Sequence, residues 1–359
     1  MSQTLASTQK SSLSNSSPID LVYLWVNPKD EDWFVRREAA LKLFPNVRNK
    51  HGAEPCRYQD NGELIFSLRS AGLYLPFIRK LFIVLDGAPP EWLDTSREDF
   101  EIVSAQSLLP KQGVRPTFSS ESIEAFVHKI PGLSEYYLYS NDDFFVCKPA
   151  TPSDFFEPDG TGLVRMEKGL IHAPLMVRDN TYNHIWRNSF KSLKSHLSDN
   201  FKPNVSGKVW VPLWIRKLFR DQLPLNPPAH ILQPMRKSVW RNFHEAFGDE
   251  MKQQLKHPFR NPESFAVNMM FYYLSHSLGK AKFIYTEDFA VAYRESSLTS
   301  IQHAFETIRK QQKVRFFCLN DGFDLNGVNW GHMVKEVLET CFPNPGRWEK
   351  QSFKRSREG

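Results

Sequence analysis

Three strand-like apolar runs in this 359-residue chain end in an acid: IVLDG supplies Asp86, YLYSNDD supplies Asp142 and Asp143, and CLNDG supplies Asp321. Carboxylates are hard oxygen donors, and the carboxyl ends of parallel strands share one edge of a sheet. Acids far apart in sequence can therefore meet there around a divalent cation and a diphosphate. Each acid alone reads equally well as a turn-former. Neighbouring residues of a strand face opposite ways, so Asp142 and Asp143 can share one ion only if the backbone turns there. The preferred arrangement puts Asp142 toward the ligand and Asp143 behind it, or bridged through water.

Other residue types could add to that chemistry. His230, in the proline-punctuated PPAHILQPM, belongs to a loop and is either a structural histidine or a proton carrier. Arg260 and Glu263 precede the apolar helix of FRNPESFAVNMMFYYL. An arginine at a helix N-terminus favours phosphate, and the alternative is an exposed ion pair between the two. Trp25, closing the first strand, either stacks on a base or sugar or is buried in the core. The chain has no P-loop, no G-x-G-x-x-G, no H-E-x-x-H and no G-x-S-x-G, which argues against P-loop ATPases, dinucleotide dehydrogenases, zinc proteases and α/β-hydrolases.

The elements that would position these residues are legible as an alternation. IDLVYLWVN (19–27) reads as a buried strand stopped by Pro28, and 33–43 as a helix. QDNGELIFSLRSAGLYLP is a helix ended by Pro76, and KLFIVLDG is the next strand. FEIVSA and EYYLYS add strands around a helix in SSESIEAFVHKI. The sum is an α/β protein with a mostly parallel, Rossmann-like sheet at 18–168. From 169 to 282 the chain turns rich in His, Asn, Trp and Pro, with helical stretches at 183–197 and 262–278, and reads as a largely helical insertion or second lobe over the sheet edge. FIYTEDFAVAY and VRFFCLNDG then return to the α/β core at 283–346, before a basic tail at 347–359.

Composition sets outer bounds. A hydrophobic content of 41% and a charged content of 24% describe an ordinary globular protein. A net charge of +6 suggests mild affinity for phosphates, an anionic polymer or a membrane surface, and the lack of a dense basic stripe argues against nucleic acid. The four cysteines stand far apart and read as reduced thiols. The Ser/Thr-rich leader, 1–17, lacks the apolar core of a signal peptide, and no run is long and apolar enough to span a membrane.

Taken in order, four blocks resemble the Stealth family of sugar-1-phosphate transferases: IDLVYLWVN; DNGELIFSLRSAGLYLPFIRKLFIVLDG with RPTFSSESIEAFVHKIPGLSEYYLYSNDDFF; NPPAHILQPMRKSVW with FRNPESFAVNMMFYYL; and CLNDG with CFPNPGRWEK. The chain departs from the family pattern at Ser140 and at Gly346, where a serine is usual. The resemblance implies a GT-A-like fold, a nucleotide-diphosphate sugar donor, an oligosaccharide or polysaccharide acceptor, and Mg²⁺ or Mn²⁺. The product would be a phosphodiester of hexose-1-phosphate or N-acetylhexosamine-1-phosphate, with release of a nucleoside monophosphate. It assigns Asp86, His230 and Arg260 to catalysis and Asp142, Asp143 and Asp321 to the metal. Trp25, Asn27, Arg69, Gly87 and Glu263 would line the nucleotide or substrate pocket. It also implies bacterial surface-polysaccharide synthesis in the cytoplasm, beside the inner face of the membrane. The rivals are a glycosyltransferase that releases a nucleoside diphosphate and a carbohydrate-binding protein without turnover.

Overall fold

Six consecutive residues of the strand Tyr136–Asn141 carry almost nothing polar before Ser140, which is the pattern of a strand covered on both faces. A computed structural model describes residues 17–45, 58, 60–167, 181–197, 226–310, 313–322 and 327–355, and places that strand, β4, inside a five-stranded sheet. Its companions are β1 (Ile19–Leu24), β2 (Ile78–Val84), β3 (Phe100–Val103) and β7 (Gln233–Arg236), in the order β3-β2-β1-β4-β7. β3, β2, β1 and β4 run parallel, and β7 closes the edge antiparallel. The strand order reverses between β1 and β4, so the crevice at their carboxyl ends is the natural ligand site of such a sheet.

The period of two divides the core. Val22, Phe82, Val84, Tyr137 and Tyr139 face helices Thr181–Leu197, Val239–Ala246 and Val267–Ser277 through Trp186, Phe190, Trp240 and Phe271. Leu21, Tyr23, Leu81, Ile83 and Leu138 face helix Glu63–Tyr74 and a second sheet through Leu64, Leu68, Phe144 and Phe316. That second sheet has the order β5-β10-β9, from Phe144–Val146, Phe316–Asn320 and Phe289–Tyr293. β6 (Gly162–Arg165) and β8 (Ala281–Ile284) form a third, two-stranded one.

Three expectations change. The segment 169–282 is not purely a helical cover, because it supplies β7 to the central sheet; Pro234 is tolerated there because an edge strand need not donate on its open side. FIYTEDFAVAY does not rejoin that sheet but divides into β8 and β9. VRFFCLNDG yields β10, which pairs with β5 and β9 instead of lying beside β4. The leader and part of 169–282 lie outside the described residues. No helix among the described residues is long and apolar enough to cross a membrane, and Cys147, Cys318 and Cys341 are free thiols.

Arg69 ties the helix Glu63–Tyr74 to the segment from Phe342 to Glu349 and acts as a brace, not as the pocket residue expected. Its Nε and Nη2 donate to Glu349 at 2.7 and 2.9 Å and its Nη1 to the carbonyl of Phe342 at 3.1 Å, with both side chains 3% exposed. Its donors are thus engaged inside the protein. Gly346 is explained by the same contact: a Cβ there would stand 3.0 Å from Arg69 Cγ and 3.1 Å from its Cα. Arg69→Ala is expected to destabilise the fold by about 3–5 kcal/mol, because it strands a buried carboxylate, whereas Arg69→Met with Glu349→Leu together should cost markedly less. Denaturant unfolding of both variants measures the difference.

Candidate active site

The NDD stretch is both a turn and a gathering point. β4 ends at Asn141, Asp142 and Asp143 make the turn, and β5 starts at Phe144 in the other sheet. The chain changes sheets in two residues, which supplies the bend that adjacent carboxylates need if they are to share a site. β10 runs antiparallel to β5, with the Leu319 N–H donating to the Asp143 carbonyl at 3.1 Å. The end of β10 is thereby carried to the turn. Asp321 reaches Asp143 closely enough for its charge to raise the latter's pKa. Asp321 itself is paired with Arg294, whose Nη1 donates to its Oδ1 at 2.9 Å, so it stands near the turn without joining the group of ligand atoms formed by Asp143, His230 and Cys318.

His230 is delivered to the same place by a short ladder. The Ala229 N–H donates to the Arg165 carbonyl at 2.8 Å and the Glu167 N–H to the Pro227 carbonyl at 3.0 Å. The Glu167 carboxylate receives the backbone N–H of His230 and the Tyr293 hydroxyl, the latter at 3.1 Å. The imidazole stands edge-on to Phe144, with ring centroids 4.8 Å apart. Asn320 Nδ2 donates to its Nδ1 at 3.0 Å, which leaves Nε2 to carry the proton of the neutral ring. Burial lowers the His230 pKa; Asp143 pulls it up and Arg260 pushes it down.

The carboxylates are crowded. Burial drives Asp142 well above the usual carboxylate range, helped by the charges of Asp143, Asp60 and Glu63. Burial also raises Asp143, against the pull of His230. Glu63 is pushed up to about 8 by burial and by Asp60. Asp143 Oδ2 accepts the Cys318 thiol at 3.3 Å, while its Oδ1 is buried with no hydrogen-bond partner among the described residues. Asp143 is the carboxylate brought against Cys318 and His230, while the charges that act on Asp142 are those of Asp143, Asp60 and Glu63.

Arg260 lies seven residues before helix Val267–Ser277 and so does not sit at its N-terminus. Its Nε pairs with Glu121 at 2.5 Å and its Nη2 donates to Ser120 Oγ at 2.9 Å, while its charge reaches both His230 and Glu124. Glu124 accepts the Tyr139 hydroxyl at 2.9 Å and is pushed up to about 7, chiefly by burial and then by Glu121. Glu263 is corrected: it turns to solvent, where it meets His257 and Gln253, and it does not pair with Arg260.

At the ends of β1, β2 and β3 a cleft of about 450 Å³ opens between Trp33, Phe118, Asp86 and Gly87. The Asp86 carboxylate receives Ser104 Oγ at 2.7 Å, Gln106 Nε2 at 2.6 Å and the Gln106 N–H at 3.2 Å. Its hydrogen bonds place it in this cleft's wall, and none of them reaches His230. Gly87 has φ of 153°, and a Cβ there would fall 1.8 Å from Asp30 Oδ2. The same Asp30 carboxylate caps helix Glu31–Leu43 and receives the Ala88 N–H at 3.1 Å. Asn27 donates to the Ala88 carbonyl at 2.9 Å, so it fixes the loop behind the cleft. Trp25 is 5% exposed and packs in the core, its indole N–H without a partner among the described residues.

Residues missed from sequence fall into two groups. Trp33, Arg36, Gln106 and Phe118 line the cleft from helices and loops that carry no acid-ended strand signal. Glu63, Glu121, Glu124 and Glu167 are buried carboxylates, 4–8% exposed, in segments whose apolar pattern drew attention away from them. An acid inside an apolar helical stripe, as in SSESIEAF, was the available clue.

Residues 57–164 match Stealth protein CR2, conserved region 2, which includes the NDD turn, and residues 306–358 match Stealth protein CR4, conserved region 4, which includes Asp321 and Glu349. The exopolysaccharide phosphotransferase CpsY of Mycobacterium leprae is 30% identical over 92% of this chain, and the capsular polysaccharide phosphotransferase SacB of Neisseria meningitidis serogroup A is likewise 30% identical over 92%. The capsular polysaccharide phosphotransferase fcs1 of Haemophilus influenzae is 28% identical over 87%. The chain spans 57% of the length of CpsY and of SacB, and 80% of fcs1. Among solved structures, the galactosyltransferase LgtC aligns over 90% of this chain and 96% of its own, with a TM-score of 0.40 and 10% identity, a likeness too loose to carry an argument. With two of the family's conserved regions in sequence order, the first around the turn at Asp142 and the second around Asp321, this chain belongs to the Stealth family.

Proposed function

We propose that the chain transfers a sugar-1-phosphate from a nucleotide-diphosphate sugar to a hydroxyl of a saccharide acceptor, in the synthesis of a bacterial capsule or exopolysaccharide. The observation that carries the reading is the gathering of His230 and Asp143 beside the turn at the carboxyl end of β4, with the charge of Arg260 within reach. The relatives are named as capsular and exopolysaccharide phosphotransferases, which supports the same reaction class. Phosphoryl transfer needs positioning and charge neutralisation more than a protein nucleophile, and the site offers the former. On the resemblance we place this work in the cytoplasm, beside the inner face of the membrane.

In the proposed reaction the acceptor oxygen bonds to the phosphorus nearest the sugar. The bond from that phosphorus to the bridging oxygen breaks, and a nucleoside monophosphate leaves. His230, kept neutral by burial, takes the hydroxyl proton on Nδ1, its proton-free nitrogen, as the Asn320 amide releases it. Arg260 sets positive charge beside the transferred phosphoryl group. Asp86, Gly87 and the aromatic walls of the cleft receive the nucleotide end.

A divalent cation fits the acidic turn: Asp143 Oδ1 is buried without a partner among the described residues, and burial, then the charges of Asp143, Asp60 and Glu63, drives the Asp142 pKa up. Mg²⁺ or Mn²⁺, held by Asp143 with Asp142 and Asp321, would neutralise the diphosphate. The protein's own part is to hold those oxygens in a half-buried turn.

Incubation with Mg²⁺, donor and acceptor is expected to release the nucleoside monophosphate, read by chromatography; release of the diphosphate alone would assign the chain to the glycosyltransferases. His230→Ala and Asp143→Asn are each expected to lower kcat by about 10²–10⁴-fold in folded protein, and near wild-type turnover in either removes that residue from the mechanism. The acid limb of kcat/KM should lie below pH 6.5, because the His230 pKa is lowered from 6.5 and the base is lost only when it protonates.

Stability should respond to pH in the opposite sense to an ordinary acidic protein. Glu63 and Glu124 have folded pKa values raised to about 8 and about 7 from 4.5, so their contribution is fully present below 4.5 and is lost as pH rises through those values. Metal-free protein is expected to show a falling Tm between about pH 5 and 8, flattened by saturating Mg²⁺ and by Glu63→Gln. A metal-free Tm that climbs over that interval contradicts the crowding of the acids.

A further inference from the structure

One component of the site has no use in phosphoryl transfer. Cys318, on β10, is fully buried, with its thiol 3.3 Å from Asp143 Oδ2 and 3.5 Å from His230 Nδ1. One ligand atom from each of Asp143, His230 and Cys318 lies within 4.8 Å of the other two. A hard cation such as Mg²⁺ prefers six oxygens, and only one of these three donors is oxygen. An oxygen, an imidazole nitrogen and a sulfur are instead the donor types of Zn²⁺ and its borderline-soft neighbours.

The distances agree with the chemistry. Bonds of about 2.3 Å to sulfur and about 2.0–2.1 Å to nitrogen or oxygen imply tetrahedral edges of about 3.4–3.6 Å between donors. The two edges that meet at sulfur are 3.3 and 3.5 Å. A second observation points to a cation: with Oδ2 set as the oxygen donor beside the sulfur, the other oxygen of the same carboxylate, Oδ1, is buried and has no hydrogen-bond partner among the described residues, so the group lacks positive charge on both sides. Asn320 Nδ2, which donates to the same Nδ1 at 3.0 Å, must release it when a metal arrives.

We propose that Asp143, His230 and Cys318 form a binding site for a borderline-soft divalent cation of the Zn²⁺ class, separate in its donor set from the oxygen ligands of the catalytic cation and sharing only Asp143 with them. Binding replaces the thiol proton by the metal, and the proton leaves to solvent. The ion takes up His230 and Asp143 together, so occupancy excludes the working state of the site. That consequence for turnover rests on the phosphotransferase reading, whereas the binding does not. The same constellation makes the protein a sensor of free zinc at the centre of its own chemistry.

Cobalt reports on the site directly, because tetrahedral Co²⁺ bound to a thiolate shows a near-ultraviolet charge-transfer band and intense visible bands. Full-length, metal-stripped protein titrated with Co²⁺ is expected to develop both at one ion per chain, and Zn²⁺ should erase them. Cys318→Ser, verified as folded by circular dichroism, should lose the charge-transfer band. His230→Ala, which keeps the thiol, should bind Co²⁺ at least about ten-fold more weakly, and this second variant decides the matter if the first does not fold. Cobalt binding without a thiolate band, a band that survives in Cys318→Ser, or unchanged affinity in His230→Ala overturns the site. In the transferase assay, Zn²⁺ should inhibit the wild type at concentrations about ten-fold or more below those needed for Cys318→Ser, each compared with its own Mg²⁺-supported rate. Equal sensitivity overturns the inhibitory role. A complete absence of turnover would fail the phosphotransferase reading while the cobalt spectra still decided the site.

Discussion

The architecture depends on a two-residue change of sheet. Asp142 and Asp143 end β4 at the crevice where the central strand order reverses, and the same two residues open β5 in the second sheet. A longer link would let the sheets drift apart, and a straight continuation would send the carboxylates to opposite faces. Because β5 pairs with β10, the turn also fixes where Cys318, Asn320 and Asp321 arrive. The backbone bond from Leu319 to the Asp143 carbonyl makes this register part of the site.

The turn concentrates charge in a region that burial already makes hostile to it. Burial raises the proton affinity of Glu63, Asp142 and Asp143, with neighbouring acids adding to it for Glu63 and Asp142, while Arg260 is held by Glu121 and Arg294 by Asp321. A protein with this arrangement stores electrostatic strain that only a positive ligand relieves. Stability and ligand affinity are therefore two readings of one quantity, as is common where a site is built before its ligand arrives.

Much of the fold was legible because the central strands obey simple patterns. β1, β2 and β4 are near-continuous apolar runs, and Pro28, Pro76 and the Asp-Gly at 86–87 mark element ends. What sequence periodicity cannot show is which sheet a strand joins. β10 has the composition of a central parallel strand and lies elsewhere, since pairing partners are chosen by three-dimensional register. The acids at strand ends were visible for the same reason as the strands. Arg69 was misplaced because a buried arginine and a ligand-facing one look alike in a helix until the partner, 280 residues away, is seen. Glu124 and Glu167 escaped notice for a related reason: a carboxylate surrounded by apolar residues is silent in sequence until its desolvation is known.

The Arg69–Glu349 pair also bears on how the protein comes into being. During synthesis the helix that carries Arg69 emerges long before Glu349 does, so the growing chain must hold a desolvation-prone cation against the developing core without its counterpart. Docking of the segment around Glu349 therefore has to come late, joining the stretch matched by conserved region 4 to the helix inside conserved region 2. A chain released before that segment is made would carry an unanswered buried charge, a defect that cellular proteases acting on loosely folded proteins are suited to detect.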